Sequence, residues 1–158
     1  MSSRQKKISA KEATLRLMNL CSQKEKSSFE IRQKLKSWEL DNEVEKIIEK
    51  LISEKFINDH RFAKAFSHDK FLINKWGKIK IKYSLRSFNI PDNLIDESLS
   101  YISDEEYSKM IQEEMTKKNK SLKVSNHFKR KARLYAFGNQ RGYEPELIQH
   151  FCEQNGLQ

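Results

Sequence analysis

The 158-residue sequence has few of the residues that build tight turns, disulfides or metal sites. It contains four glycines, two prolines and two cysteines. So few turn-forming residues leave little room for β-hairpins and favour helices joined by short polar links. Cys21 and Cys152 lie far apart without metal-type spacing, so neither a disulfide framework nor a zinc site is expected. This cysteine usage is typical of a reduced compartment, and we expect a cytoplasmic protein.

Long hydrophobic runs and catalytic motifs are also missing. No stretch approaches the ~18 apolar residues of a membrane helix, and the basic start MSSRQKK is not followed by an apolar signal segment. The sequence has no glycine-rich phosphate loop, nucleophile elbow or Cys/His cluster. We therefore predict a protein that is not an enzyme, has no catalytic residues, needs no cofactor or metal, and does not enter a membrane.

Positive charge is what the sequence has in excess. Thirty-one Lys and Arg stand against 22 Asp and Glu, which leaves a formal net charge of +9. A basic balance of this size makes a polyanion the expected partner, either a nucleic acid or an acidic protein surface. Charged residues make up 34% of the chain and hydrophobic residues only 37%, a balance that disfavours one compact globule.

Apolar residues recur at helical spacing in successive units of about fifty residues. The second unit repeats the apolar positions of the first at an offset of fifty: Ile31, Leu35 and Trp38, then Ile81, Leu85 and Phe88. Ser27 with Glu30 and Ser103 with Glu106 are spaced as capping boxes. Such self-similarity is typical of a stacked array. We predict an all-α fold, an elongated array of three tandem three-helix repeats that resemble helix-turn-helix units, each with a small core.

The predicted boundaries follow the helix pattern. Residues 1–9 form a disordered basic N-terminus, and the three repeats occupy residues 10–57, 58–102 and 103–158. In the third repeat, one helix is predicted to bury an apolar face that comprises Val124, Phe128, Ala132 and Tyr135. Gly138 stands where the repeat pattern expects a residue like leucine, which predicts looser packing of this repeat.

The segment FINDHRFAKAF, residues 56–66, raises the question of a chemical site. Asp59 stands where the N-cap of the following helix belongs, and a cap is the preferred interpretation. The alternative is a metal site made of Asp59, His60, His68 and Asp69. It is disfavoured because the first two are adjacent and diverge around a helix, and because the two histidines are eight residues apart rather than four.

Two acid-free blocks give the chain its basic character. One runs from Lys75 to Arg86 and the other from Met115 to Tyr143. We define the basic track as the candidate binding residues of these blocks: Lys75, Lys78, Lys82, Arg86, Lys123, Lys129, Arg130, Arg133 and Arg141. The track suits a phosphate backbone or an acidic groove; the alternative is an ordinary solvated face. Tyr83 and Trp76 lie close enough to the track to stack on a base, although core packing is preferred for Trp76.

Four motifs, in this order, resemble those of the RecX regulatory proteins of bacteria: SSFEIRQKL, FINDHRFAKAF, WGKIKIKYSLRSFNI and RGYEPELI. The resemblance extends from about residue 10 to residue 151. It implies tandem three-helix repeats and a monomer that binds the RecA filament on single-stranded DNA, lies along its groove, and suppresses its ATPase, strand-exchange and coprotease activities. Binding to single-stranded DNA, with double-stranded DNA as an open further partner, is also implied.

Two other functions remain open from the residues alone. One is a sequence-independent DNA-binding helical protein, or a transcription regulator, that acts without RecA. The other is a helical scaffold whose basic face binds an unrelated acidic protein. The basic helices show no distinct face of Asn, Gln and Arg for reading bases, so sequence-independent contact is favoured over operator recognition.

Overall fold

The computed structural model describes residues 7–158 and is helical throughout that range, with no strand. The elements are α1 (Ala10–Gln23), α2 (Ser28–Ser37), a 3-10 turn (Asp41–Glu43), α3 (Val44–Ser53), α4 (Asp59–Leu72), α5 (Lys78–Ser87), α6 (Asp92–Ser100), α7 (Asp104–Ser121), α8 (His127–Arg141) and α9 (Pro145–Gln154). Three helices fall in each predicted repeat. The accessible surface of 10599 Å² exceeds the roughly 8,300 Å² of a compact monomer of this mass. The predicted all-α, elongated repeat array is confirmed.

The predicted disordered N-terminus, residues 1–9, lies mostly outside the described residues. In its described part, the Ser9 hydroxyl accepts a hydrogen bond from the Glu12 amide and caps α1. Ile8 packs against the core of the first repeat. None of the described helices is both long enough and apolar enough to span a membrane.

Local sequence signals explain where several helices begin. Ser27 and Glu30 form the predicted reciprocal capping box at the start of α2. Ser103 accepts from the Glu106 amide at the start of α7. Pro145 occupies the first turn of α9, where the amide that proline lacks has no helical partner.

Each repeat turns between its second and third helices through one residue in the left-handed conformation. The φ angle is 59° at Glu39, 56° at Asn89 and 84° at Gly142. The residue after each of them, Leu40, Ile90 and Tyr143 in turn, is buried. The repetition predicted from apolar spacing therefore extends to backbone geometry.

The hydrophobic residues form two cores rather than three. The first repeat has a core of its own, which runs from Ala13 to Ile57. The second and third repeats share one continuous core, from Phe62 to Leu157. The prediction of one small core in each repeat is thus right for the first repeat and wrong for the other two, because the sequence period does not report contacts between units.

The predicted apolar face of α8 is wrong at Phe128 and Ala132, whereas Tyr135 packs against the shared core as predicted. Phe128 is 83% exposed and Ala132 is exposed, whereas Leu134 and Gly138 are buried. Gly138 does not loosen the repeat, because a Cβ atom there would lie 2.5 Å from Cδ1 of Ile148. The Ile148 side chain therefore occupies the space that a larger residue at position 138 would need, and the helix turns a different face to the core.

Candidate functional site

The family-like motifs meet at the junctions between repeats, and the closest junction joins the second repeat to the third. The amide of Gly77 donates to the Arg141 carbonyl at 2.7 Å, and the amide of Ile79 donates to the Gly142 carbonyl at 3.2 Å. Amides at the start of a helix have no partner within it. The turn between α8 and α9 therefore caps α5, and the WGKIKI and RGYEPELI motifs form one structural unit.

This junction requires glycine on both sides. A Cβ atom on Gly77 would lie 2.1 Å from the Gly142 carbonyl oxygen. A Cβ atom on Gly142 would lie 2.3 Å from the Cβ atom of Lys80, and its φ of 84° is in the region that disfavours side chains. The two backbones approach each other more closely than any residue with a side chain allows.

Two tyrosine hydroxyls complete the junction. The Tyr107 hydroxyl donates to Oε2 of Glu144 at 2.6 Å and accepts from the Lys78 amide at 2.9 Å. The Tyr143 hydroxyl donates to the Lys75 carbonyl at 2.8 Å. Burial raises the pKa of Tyr143 to about 12, and burial with the neighbouring Glu144 carboxylate raises the pKa of Tyr107 further. Both hydroxyls therefore stay protonated and donate at physiological pH.

The junction between the first and second repeats is polar. Asp59 accepts hydrogen bonds from the amide of Ser28 at 2.8 Å and from its hydroxyl at 2.6 Å. Nearby, the Arg61 guanidinium pairs with Glu25. Asp59 therefore does not cap its own helix as predicted; Asn58 does, by accepting from the Arg61 amide at 3.0 Å. The correction has a physical reason, since the carboxylate reaches the free amide of a helix 31 residues away.

Removing this contact tests the correction. We expect Asp59→Ala and Ser28→Ala each to lower the free energy of unfolding by about 1 kcal/mol. Their double-mutant cycle should show a coupling of about 0.5–1 kcal/mol. Ser28→Ala removes only the hydroxyl bond to Asp59, whereas Asp59→Ala removes that bond and the bond from the amide of residue 28. Urea denaturation of the four proteins measures it, with Asn58→Ala as a control that removes a cap not shared with Ser28. Additive effects of Asp59→Ala and Ser28→Ala would contradict the contact.

In the second repeat, the structure pairs three of the four basic-track residues with acids. Each lies against an aspartate of α6 or of the first turn of α7: Lys78 with Asp104 (3.9 Å), Lys82 with Asp96 (3.4 Å) and Arg86 with Asp92 (3.0 Å). The hydrogen bond from Arg86 lowers the pKa of the Asp92 carboxyl. These acids lie outside the acid-free block, so the sequence pattern did not reveal the pairing.

Two basic-track residues of the third repeat make contacts within the fold. The Arg130 guanidinium donates to the carbonyls of Asn119 at 2.8 Å, Val124 at 2.6 Å and Leu122 at 3.2 Å, which closes the end of α7. Arg141 pairs with the largely buried Glu114 at 3.5 Å. Both cations therefore have structural partners.

The remaining four basic-track residues are Lys75, Lys123, Lys129 and Arg133. Within residues 7–158, their side chains form no ion pair or hydrogen bond with the protein. We call them the free cations. Three of the four lie in the third repeat and are exposed, so this repeat has most of the unneutralised charge of the track.

Trp76 contacts both the shared core and two lysines. The Nζ atoms of Lys70 and Lys80 lie 4.8 and 4.5 Å from its ring centroid. The ring also packs edge-on against Phe66 in the shared core. The expected core packing of Trp76 is therefore confirmed, and Lys70 and Lys80 lie beside the same ring. Tyr83, by contrast, is 77% exposed on α5.

Two residues of the alternative metal site have partners outside it. Asp59 binds Ser28, as described above, while Nε2 of His60 lies 2.9 Å from Glu97. His68 lies 3.5 Å from Asp69. Among the residues that the structure describes, no three His, Cys, Asp or Glu side chains are grouped as a metal site would need.

Comparisons with known proteins agree with the motif resemblance. Two family models match this chain: the second three-helix domain of RecX over residues 58–99, and the third over residues 104–152. Together they span more than half of its residues. The regulatory protein RecX of Chlorobium phaeobacteroides is 32% identical over 87% of this chain and 89% of the relative.

Other relatives are longer than this chain. The regulatory proteins RecX of Clostridium acetobutylicum and Clostridium beijerinckii are 37% and 34% identical, and the matched regions span 56% and 63% of their lengths. The crystal structure of RecX from Lactobacillus salivarius superposes with a TM-score of 0.79 over 94% of this chain and 97% of that one, at 19% identity. A second crystal structure of a regulatory protein RecX superposes with a TM-score of 0.81 over 90% of this chain and 72% of that one.

Proposed function

Because the chain belongs to the RecX family of regulatory proteins, we propose that it binds the RecA filament on single-stranded DNA. There it suppresses the ATPase, strand-exchange and coprotease activities of the filament. The family membership supports this proposal most directly, since the relatives are named regulatory proteins. The chain acts on this proposal as a binding protein without a cofactor, not as an enzyme, and it acts as a monomer in the cytoplasm.

The junctions explain how such a rod could act. The second and third repeats share a core, and two backbone amides of the second donate to carbonyls of the third. We therefore expect the two repeats to move as one body. A stiff body that bridges neighbouring filament subunits favours the arrangement of the subunits that fits it. It shifts the filament only if it binds that arrangement more tightly than the arrangements needed for hydrolysis and exchange.

The division of the basic track suggests which residues bind. The free cations are available for phosphates or for acidic side chains of the filament, whereas Lys78, Lys82 and Arg86 face aspartates. We propose that Lys123, Lys129 and Arg133 form the main polyanion contact and that Lys75 extends it. Lys78, Lys82 and Arg86 keep α5 in place through their aspartates. They contact the bound polyanion only where it displaces those aspartates.

Filament retention tests the proposal. RecA is immobilised with or without single-stranded DNA and a non-hydrolysable ATP analogue, and the full chain is passed over it. We expect retention with both ligands present and much less without them, together with a fall in DNA-dependent ATP hydrolysis by RecA. The proposal would be refuted if the chain is not retained on the assembled filament and if RecA, with a stoichiometric amount of the chain added, hydrolyses ATP as fast as RecA alone.

A second candidate function, DNA binding without RecA, is favoured by the unneutralised charge of the third repeat. It predicts that naked single-stranded DNA is bound and that adding RecA leaves the affinity unchanged. Titration of labelled DNA with and without RecA separates the two, because a filament regulator binds the assembled filament more tightly than the DNA alone.

A further inference from the structure

One face of α8 is exposed at Phe128 and Ala132 and ends at Tyr135, which packs against the shared core. Phe128 is 83% exposed, and Lys131, Ala132 and Tyr135 follow it at positions i+3, i+4 and i+7 on the same face. Single exposed apolar residues are common on protein surfaces, so Phe128 alone indicates no site. Here, however, the phenylalanine lies within a structured surface that contains a second aromatic ring.

This surface is a shallow depression of about 640 Å³. It is lined by His127, Phe128, Lys131, Ala132, Tyr135 and Gln158. The Nζ atom of Lys131 lies 6.0 Å from the ring centroid of Tyr135, and no Asp or Glu side chain belongs to the lining. The depression therefore combines aromatic faces, a cation and hydrogen-bonding groups.

The charge around the depression is of one sign along the chain. Residues 116–143 contain no Asp or Glu, and the free cations Lys123, Lys129 and Arg133 lie in the same segment. Glu153 of α9 lies near Tyr135 and accepts a hydrogen bond from the Gln149 side chain at 2.9 Å. The depression thus places the exposed ring of Phe128 and the half-buried ring of Tyr135 next to unneutralised cations. Accessible rings beside such cations are the combination that stacks unpaired bases and binds their phosphates.

We infer that the α8 depression is a stacking site for single-stranded DNA, in which Phe128 contacts a base and Lys131 and the free cations of the third repeat contact the adjoining phosphates. The charge complementarity and the unpaired aromatic ring favour this occupant over an acidic protein surface, which needs the charge but not the ring. The inference rests on the proposed function in one respect, since single-stranded DNA is the polymer on which the filament forms.

Two replacements at one position test stacking directly. Phe128→Leu keeps an apolar side chain but removes the ring, and Phe128→Trp enlarges the ring. Binding to labelled oligothymidylate without RecA is measured by fluorescence anisotropy, beside a duplex of the same length. We expect Phe128→Leu to weaken binding to the single strand about tenfold. The same variant should bind the duplex as the parent does, because paired bases cannot stack on the side chain at position 128. Phe128→Trp should bind the single strand at least as tightly as the parent. The new tryptophan should be quenched by the oligonucleotide.

Controls separate this inference from the proposed function. Phe128 is exposed, so its replacements should fold like the parent, and Tyr101→Leu replaces another exposed ring, 53% accessible, in the second repeat. Equal affinity of Phe128→Leu and parent for oligothymidylate would overturn the stacking site, as would equal losses on single strand and duplex or no binding by the parent. If Phe128→Leu instead loses only filament retention, the face binds protein and the inference is wrong while the filament proposal stands.

Discussion

Replacing Gly77 with alanine is expected to lower the free energy of unfolding by about 3 kcal/mol. The new Cβ atom would lie 2.1 Å from the Gly142 carbonyl oxygen, which is backbone and cannot swing away. The second and third repeats would have to separate, which also lengthens the hydrogen bond from the Gly77 amide to Arg141. The φ of Gly77 is −79°, which alanine adopts without strain. The loss of stability would therefore come only from the close approach of the two backbones.

Gly156 provides the matched control. Its φ is 75°, and nothing lies within 4 Å of a Cβ atom placed there. Gly156→Ala should cost about 1 kcal/mol, the effect of the left-handed conformation without crowding. Gly142→Ala combines both effects and should be the most damaging of the three. Thermal and urea denaturation measure these differences, and a Gly77→Ala protein as stable as Gly156→Ala would contradict the described junction.

Reversing the free cations of the third repeat should have the largest effect on DNA binding. The variant Lys123→Glu, Lys129→Glu, Arg133→Glu should bind single-stranded DNA about 100-fold more weakly at low salt, because it loses three phosphate contacts and gains three repulsive charges. The slope of log affinity against log salt should fall by about 2, since each lost phosphate contact on a single strand contributes about 0.7. Titrations at several salt concentrations measure both quantities, and retention on RecA filaments shows whether the same residues serve the filament.

The control variant must have the same net charge as the triple variant of the third repeat. Lys11, Lys46 and Lys50 are exposed in the first repeat, and three reversals there also take the formal net charge from +9 to +3. We expect this control to keep most of the affinity and the salt slope. If both triple variants lose affinity equally, net charge and not a localised site attracts the DNA.

The architecture was predictable because it depends on local spacing. The offset of fifty residues between Ile31 and Ile81 follows from helices that bury equivalent faces, and the Ser27–Glu30 box marks a helix start with two residues. Contacts between repeats were not predictable in this way. The bond from Ser28 to Asp59 joins residues 31 apart, and nothing in either segment alone indicates that the carboxylate turns toward another helix.

The candidate site was predictable in composition but not in pairing. The acid-free block from Lys75 to Arg86 looked unneutralised because its counter-ions, Asp92, Asp96 and Asp104, follow it in the chain and fold back beside it. The apolar face of α8 failed for a related reason. Phe128 and Leu134 both fit a helical stripe, and the choice between the stripes depends on Ile148 of the next helix filling the space beside Gly138.

The shared core gives the chain a unit of cooperativity that differs from its unit of repetition. In a uniform repeat protein, every interface between neighbours contributes a similar coupling energy, and the array unravels from either end one repeat at a time. Here the two interfaces are unequal, because one is polar and the other combines a continuous core with backbone hydrogen bonds. The first repeat can therefore open while the rest stays folded, whereas the second and third open together. Hydrogen exchange should accordingly show two levels of protection, one for α1 to α3 and one common to α4 to α9.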